Sequence, residues 1–209
     1  MAADQACLPP GRRLEIIPCA SPADIAGLSL HPALKNFRPA KRQHQALIEL
    51  AGREDGCVTI ATDGERILAY AAFQRPEAFE RWGKDETGGV YELGAIEVAP
   101  ECRQRGLAKR LLEETFKTGR FDDKVVVAAL YYWHYDLDAS GLSAYAYKEM
   151  LERLYKSVGF VPFTTDDPDI FPYVENALLA RIGERAPKEV VESFHRLRFA
   201  EDQGPWGCL

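Results

Sequence analysis

The sequence lacks an apolar run long enough to cross a membrane. The longest such run begins at Val125 and ends before His134, whereas a membrane-spanning helix needs about 20 residues. The chain also lacks an excess of positive charge, because 26 Lys and Arg face 32 Asp and Glu and give a net charge of −6. The first absence excludes a membrane-spanning helix. The second argues against a protein that binds nucleic acid or an anionic membrane surface.

Cysteine and histidine are few and scattered along the chain. The five cysteines are Cys7, Cys19, Cys57, Cys102 and Cys208. Their odd number and the lack of a Cys-x-x-Cys pair predict reduced thiols rather than a disulfide framework or a structural zinc site. Of the four histidines, only His134 has carboxylates close by in sequence, so we expect no metal centre. The N-terminus lacks the basic flank and apolar stretch of an export signal, which favours a cytoplasmic protein.

The composition indicates one globular domain. With 209 residues, of which 46% are apolar, the chain can form one sizeable core. We expect a single domain over residues 1–209, with a structured core at about 12–200 and short flexible termini. Periodicity and turn residues predict strands that alternate with helices, including a hairpin at the Asp63-Gly64 pair and a loop over residues 75–89 held to the core by Phe79 and Trp82. The predicted strands cover residues 12–17, 57–61, 67–73, 90–98, 125–132, 160–163 and 177–182, and the predicted helices cover about 39–51, 107–118, 147–158 and 187–197.

Residues 103–108, RQRGLA, lie where a predicted strand ends and a helix begins. The small residues Gly106 and Ala108 would let a phosphate approach the backbone, where the N–H groups of the first helical turn can donate to it. The positive charge of Arg103, Arg105 and Lys109 surrounds the same point. The alternative is a solvated basic helix start. Because the chain has neither Gly-x-Gly-x-x-Gly nor Gly-Lys-Ser/Thr, a dinucleotide fingerprint and a P-loop are excluded, and the pyrophosphate of another ligand remains.

This turn resembles the pyrophosphate-binding turn of the GNAT acyltransferase superfamily. Glu92 precedes Arg103 by eleven residues, the spacing at which several GNAT protein acetyltransferases place their general base. Tyr155, followed by Gly159 and Phe160, resembles the helix end whose tyrosine lies near the cofactor thiol. The resemblance implies an α/β (α+β) fold with a mixed, mostly antiparallel sheet flanked by helices. It also implies acetyl-CoA as the cosubstrate.

Nearly the whole chain resembles a narrower group, the bacterial acetoin-utilisation protein acetyltransferases of the AcuA type. Residues 37–49, 92–98, 131–137 and 165–168 carry this resemblance. The first ten residues and residues 203–209 lie outside it, and Ala108 replaces the second glycine of the commonest GNAT turn. The family modifies a lysine of AMP-forming acetyl-CoA synthetase. The resemblance therefore implies a protein lysine N-acetyltransferase that acetylates and inactivates this synthetase.

The chemistry itself calls for a base, because a lysine amine with a pKa near 10.4 is about 99.9% protonated at pH 7. We predict Glu92 as the general base and Tyr155 as the group that protonates the departing CoA thiolate. Glu97 competes with Glu92, and alternation puts the two on opposite faces of a regular strand unless a bulge near Gly94 changes that parity. The alternatives are a solvated or Arg-paired Glu92 and a Tyr155 that only packs.

The remaining site predictions concern two surfaces. The cofactor-binding residues are Ile96, Glu97, Val98, Arg103, Gln104, Arg105, Gly106, Leu107, Ala108 and Lys109. The partner-facing residues are Arg38, Tyr132, Trp133 and His134, together with the acidic Asp166, Asp167 and Asp169, for which ordinary loop packing is the alternative. Acidic residues around an acceptor cleft would attract a cationic lysine.

Two other functions remain open on sequence grounds. A GNAT enzyme for a small amine would present a closed acceptor pocket, whereas a protein-modifying enzyme needs an open groove that reaches the thioester. A non-catalytic CoA-binding module would keep the pyrophosphate turn and lack a placed base.

Overall fold

The structure, a computed structural model, describes residues 12–199. The predicted flexible termini, with Cys7 and Cys208, lie outside the described residues. The strands are β1 (Glu15–Ile17), β2 (Ser29–Leu30), β3 (Cys57–Thr62), β4 (Arg66–Gln74), β5 (Val90–Val98), β6 (Val125–Leu130), β7 (Val161–Phe163) and β8 (Ala177–Ile182). The helices are α1 (Pro22–Ala26), α2 (Ala40–Ala51), α3 (Leu107–Lys117), α4 (Leu137–Ser140), α5 (Ala144–Lys156) and α6 (Lys188–Leu197).

The strands form one mixed sheet in the order β1-β3-β4-β5-β6-β8-β7, and β2 pairs with the start of β4. The β2–β4 and β5–β6 pairs are parallel, and the other pairs are antiparallel. The mixed, mostly antiparallel sheet that the resemblance implied is therefore confirmed. Gly64 provides the positive φ of +89° that the predicted hairpin requires. The Asp63 carboxylate accepts the N–H groups of Glu65 and Arg66 and stabilises the same turn.

Helices cover both faces of the sheet. On one face α3 and α5 pack over the centre, where Leu111 of α3 lies against Phe73 of β4 in the same cluster. On the other face α1 and α2 cover β3 and β4, with Leu47 in a cluster that includes Tyr70. The second face is also covered by α6, which packs over β6 and β8. The second face also holds a groove, which is lined by α2, by the loop over residues 75–89 and by residues near 131–134 and 167–169.

The loop over residues 75–89 is fixed by one aromatic residue. Trp82 is buried and stacks on Phe194 of α6 at a centroid distance of 5.7 Å. Phe79 is 83% exposed, so the prediction that it holds the loop to the core is wrong. Its exposure places an aromatic ring beside the groove.

The prediction of reduced thiols is wrong for two of the described cysteines. Cys19 and Cys57 form a disulfide, with a Cα–Cα distance of 4.9 Å and a sequence separation of 38. The antiparallel pairing of β1 with β3 brings them together, and this pairing leaves no local spacing signal in the sequence. Cys102 is buried.

Candidate active site

A bulge in β5 determines where its two glutamates point. The pairing of β4 with β5 skips Gly94, so that Glu92 lies opposite Gln74 and Glu97 lies opposite Tyr70. One extra residue reverses the alternation of a strand, which places both glutamates on the same face of the sheet. The expectation for a regular strand, with Glu92 and Glu97 on opposite faces, is therefore wrong. The expectation that a bulge near Gly94 would change this alternation is confirmed. Both carboxylates face the side covered by α1, α2 and α6.

Glu92 has the environment of a base that works near neutral pH. Burial raises its pKa from 4.5 to about 7, and the carboxylates of Glu77 and Glu80 add to the shift. The Gln74 side chain, whose Nε2 donates to Glu92 Oε1 at 2.7 Å, and the charge of Arg53 oppose it. A carboxylate with this pKa is half ionised at pH 7 and holds a proton much more strongly than an exposed glutamate does.

Glu97 is held on both of its carboxylate oxygens. Its Oε1 accepts the backbone N–H of Asn36 at 2.8 Å, and its Oε2 accepts the hydroxyl of Tyr70. Burial raises the pKa of Glu97 as well. The side chain of Asn36 also donates to the carbonyl of His134 at 2.8 Å. Both carboxylate oxygens of Glu97 therefore accept a hydrogen bond. Through Asn36, Glu97 connects β5 to the loop before α2 and to the loop after β6.

The strands β5 and β6 separate at Glu92. They pair over Val90–Glu92 and Val125–Val127, after which β5 continues to pair with β4, and β6 with β8. A wedge therefore opens in the sheet from Glu92 towards the end of β5. Ile96 and Val98 lie along this wedge and pack on the α3 and α5 side. Their role in cofactor binding stays a prediction.

The turn before α3 has a backbone that suits a phosphate. Gln104 and Gly106 have positive φ values of +60° and +71°, and alternating backbone conformations of this kind turn successive N–H groups towards one point. Gly106 is the N-cap of α3 and provides no side-chain cap. Leu107 is buried and anchors the first turn, while Ala108 and Lys109 lie nearer to solvent. The conformation, the small residues and the charges therefore fit the predicted pyrophosphate site.

Arg103 fastens this turn to the neighbouring loop. Its Nε donates to the Val98 carbonyl at 3.0 Å, and its second guanidinium nitrogen forms a salt bridge of 2.7 Å with Asp136. Part of its charge is thus neutralised. Arg103 shapes the entrance of the wedge, and Arg105 lies in the same turn.

Two tyrosines of α5 lie about two turns apart on one side of the helix. Tyr155 is buried against Phe160, at a ring distance of 5.5 Å, and burial raises its pKa. Tyr147, two turns earlier, stacks on Tyr135 at 4.7 Å. Burial raises the pKa of Tyr147, while the backbone N–H of Asp136 opposes the shift. Of these two tyrosines only Tyr155 was predicted from the sequence, and the eight-residue spacing on a helix is the signal that could have added Tyr147.

The groove beside Glu92 has a volume of about 1100 Å³. Among the predicted partner-facing residues, Arg38, Trp133 and His134 line it. Tyr132 lies outside the lining, with its ring 5.2 Å from that of Trp133. The groove is open to solvent, since Phe79, which also lines it, is 83% exposed.

The three predicted acids near the groove differ in their surroundings. Asp166 and Asp167 both form ion pairs with Arg81, and Asp167 is buried. Asp169 is exposed and lines the groove. Two of the three acids therefore fasten a loop, and the negative charge nearest Glu92 comes instead from Glu77 and Glu80. No sequence motif marks Glu77 and Glu80 as neighbours of Glu92, because the pairing register of β4 with β5 brings their loop to Glu92.

No helix among residues 12–199 is long and apolar enough to span a membrane. Within the same residues no group of three or more His, Cys, Asp or Glu side chains is arranged to hold a metal ion.

Comparison with known proteins identifies the family. Residues 27–160, more than half of the chain, match the Acetyltransferase (GNAT) family. The chain belongs to the GNAT acetyltransferase family. The enzymes of this family use acetyl-CoA, and the predicted fold and acyltransferase class of this acetyltransferase are thereby confirmed.

The acetyltransferase is also similar to acetoin utilization proteins over most of its length. It is 38% identical to the acetoin utilization protein AcuA of Bacillus subtilis over 179 residues, which cover 86% of this chain and 85% of that protein. AcuA of Bacillus licheniformis is 37% identical over 179 residues, which again cover 86% of this chain and 85% of that protein. The crystal structure of an acetoin utilization protein from Exiguobacterium sibiricum has a TM-score of 0.86 at 38% identity and covers 89% of this chain and 88% of that one. The AcuA-type resemblance is confirmed.

Proposed function

We propose that this acetyltransferase transfers the acetyl group of acetyl-CoA to a lysine side chain of AMP-forming acetyl-CoA synthetase and thereby inactivates the synthetase. The observation that carries the proposal is the open groove that leads to Glu92. A lysine on a folded protein can reach the thioester only through such a groove, whereas a small amine would be enclosed in a pocket. The similarity to AcuA proteins over 86% of the chain supports the same acceptor.

The rim of the groove has the character of a protein-binding surface. Trp133 is 47% exposed, its ring stacks on Tyr131 at 4.9 Å, and it lies 6.1 Å from the ring of Tyr173. Aromatic side chains of this kind are enriched among the residues that contribute most to protein–protein affinity. Phe79 also lines the groove, so that more than one exposed aromatic ring borders the approach to Glu92. We propose that the loop over residues 132–142 forms part of the docking surface.

The charges within the groove suit a cationic acceptor. Glu77 and Glu80 lie near Glu92 and raise its pKa, and Asp169 lies at the rim. Arg53, on the same side, forms a salt bridge of 2.7 Å with Asp55, which reduces the repulsion that a lysine would meet. A cluster of negative charge in a partly desolvated groove attracts an ammonium group and its basic neighbours.

The proposed transfer uses direct attack in a ternary complex. The acceptor nitrogen attacks the thioester carbonyl carbon, the C–N bond forms, and the C–S bond breaks. Of the two protons that the ammonium nitrogen loses, one passes through Glu92 to solvent and the other ends on the CoA sulfur. We propose Tyr155 as the donor of the second proton and the turn over residues 103–109 as the pyrophosphate site. The acetylated lysine has lost its charge, which disables an enzyme that uses this charge to stabilise adenylate formation.

The direct test is incubation of the enzyme with acetyl-CoA and the cognate synthetase, followed by mass mapping of acetylated lysines and an assay of synthetase activity. We expect one predominant modified lysine and a loss of synthetase activity in step with its modification. A parallel reaction offers free amines such as polyamines and amino acids. An enzyme that acetylates only the free amines would contradict the proposal and favour the small-amine alternative.

A further inference from the structure

The side chain of Gln74, the last residue of β4, holds one oxygen of Glu92. Its Nε2 donates to Glu92 Oε1 at 2.7 Å, and the register places the two residues opposite each other. Among residues 12–199, Glu92 Oε2 receives no hydrogen bond. The two carboxylate oxygens therefore differ: Gln74 holds one of them, and the other is available to a proton of the acceptor.

Gly94 provides the space in which this hydrogen bond forms. A Cβ added at position 94 would lie 3.3 Å from Glu92 Oε1 and 3.8 Å from Gln74 Nε2. The first distance is tighter than most Cβ contacts, so that a side chain here would push against the oxygen that Gln74 holds. The missing side chain at Gly94 thus leaves room for the same oxygen, Glu92 Oε1, that accepts the hydrogen bond from Gln74.

Charged and titratable groups from three other segments also face Glu92. Glu77 and Glu80, in the loop after β4, raise its pKa, and Arg53, after α2, lowers it. Tyr131, after β6, has a raised pKa, to which burial contributes most and the charge of Glu92 contributes a smaller part. None of these four side chains forms a hydrogen bond with the Glu92 carboxylate, so their influence acts through space.

We propose that Gln74 is a positioning residue that fixes the orientation of the Glu92 carboxylate and favours its ionised form. This inference rests on the proposed role of Glu92 as the general base. An N–H that donates to a carboxylate stabilises the charged form. Gln74 thereby lowers the pH above which Glu92 is ionised and can accept a proton. Its effect on the acceptor passes only through Glu92.

Two variants of Gln74 test the proposal. Gln74→Leu keeps the size of the side chain and removes the donor, and we expect the acid limb of kcat/KM to move to higher pH by about one unit. Turnover at pH 7 then falls roughly fivefold, while most of the loss disappears at pH 9 and the KM for acetyl-CoA stays the same. Gln74→Glu places a second carboxylate at hydrogen-bond distance, and the shift should be larger. A merely structural Gln74 would lower activity by the same factor at every pH.

A second measurement does not depend on the acceptor. The carboxyl carbon of Glu92 can be titrated by ¹³C NMR in the full chain, with the signal assigned by its absence in Glu92→Gln. We expect the titration to move to higher pH in Gln74→Leu and further in Gln74→Glu. The matched control is Gln45→Leu, because Gln45 donates to Glu49 at 2.9 Å in the same chemical arrangement on exposed α2. This control should leave both the titration and the pH profile unchanged.

The possible outcomes separate the two claims. If Gln74→Leu shifts neither the NMR titration nor the acid limb, the proposal for Gln74 is wrong. If Glu92→Gln retains parental turnover, the assignment of the base is wrong, and the titration still reports whether Gln74 stabilises the carboxylate.

Discussion

Glu92 shows how burial raises the proton affinity of an ordinary carboxylate. Desolvation raises its pKa to about 7, and the charge of Arg53 together with the hydrogen bond from Gln74 is not enough to cancel this effect. An exposed glutamate with a pKa near 4.3 would be ionised at pH 7 but would bind a proton about 500 times less tightly. Glu97, also buried, has both oxygens occupied by donors, which favours Glu92 as the base.

The raised pKa of Glu92 has a consequence for stability. Because the pKa is higher in the folded state than in the unfolded chain, the stability linked to this group is fully present below about pH 4.5 and is lost as the pH rises through about 7. Glu92→Gln removes this dependence. Urea unfolding between pH 5 and pH 8 should therefore show a smaller loss of unfolding free energy with rising pH in the variant than in the parent. Identical slopes in the two proteins would contradict the raised pKa.

The turn before α3 has a backbone conformation that suits the phosphate site predicted there. The pattern of residues 103–108 predicted a phosphate site, and the structure shows the positive φ values that such a turn needs. Gly106→Glu should abolish binding of CoA, because a carboxylate would stand at the pyrophosphate and an L-residue is strained at a φ of +71°. Isothermal calorimetry measures the affinity.

Gly141 provides a matched control for this variant. It has a φ of +67°, and, as at Gly106, nothing lies within 4 Å of an added Cβ. Gly141→Glu should carry the same backbone strain and still bind CoA. Parental affinity in a correctly folded Gly106→Glu would show that the pyrophosphate binds elsewhere.

The two tyrosines of α5 can be separated by the same kind of comparison. If Tyr155 protonates the CoA thiolate, Tyr155→Phe should lower turnover by about 10-fold to 100-fold with little change in CoA affinity. Tyr147→Phe should leave turnover near the parental value. Single-turnover kinetics measure both. The opposite ranking would assign the proton donor to Tyr147, whose hydroxyl faces Asp136.

Local sequence signals, such as turn residues and helix ends, predicted most of the helices and strands. The features that they did not predict depend mainly on the pairing of strands that are distant in sequence. The Asp63-Gly64 turn and the helix that ends at Gly52 follow from residue type, and both are present. The short helix α1 was missed although Ser21 and Asp24 form a capping box, because only five residues follow the cap. The contacts of Glu92 with Gln74 and the Cys19–Cys57 disulfide depend on sheet register, which no local pattern encodes.

At the scale of the whole molecule, we expect the groove beside α2 to determine which acceptors can enter. Trp133→Ala combined with His134→Ala should abolish acetylation of the synthetase while CoA binding is retained, because both side chains line the groove and no residue of the turn over 103–109 does. Tyr145→Ala is the control, since Tyr145 is 55% exposed and lies outside the groove. Acetylation at the parental rate by the double variant would show that the synthetase docks elsewhere.

The proposed mechanism depends most on Glu92 as the base for a protein lysine. The most direct test is the initial rate of synthetase acetylation between pH 6 and pH 10 for the parent, Glu92→Gln and Glu97→Gln. We predict that the parental rate rises through an inflection near pH 7 and that Glu92→Gln lowers it by about 10² to 10⁴ at neutral pH, with partial recovery at high pH. Glu97→Gln should keep the parental inflection. A Glu92→Gln enzyme that acetylates the synthetase at the parental rate, with the loss appearing in Glu97→Gln, would contradict the account.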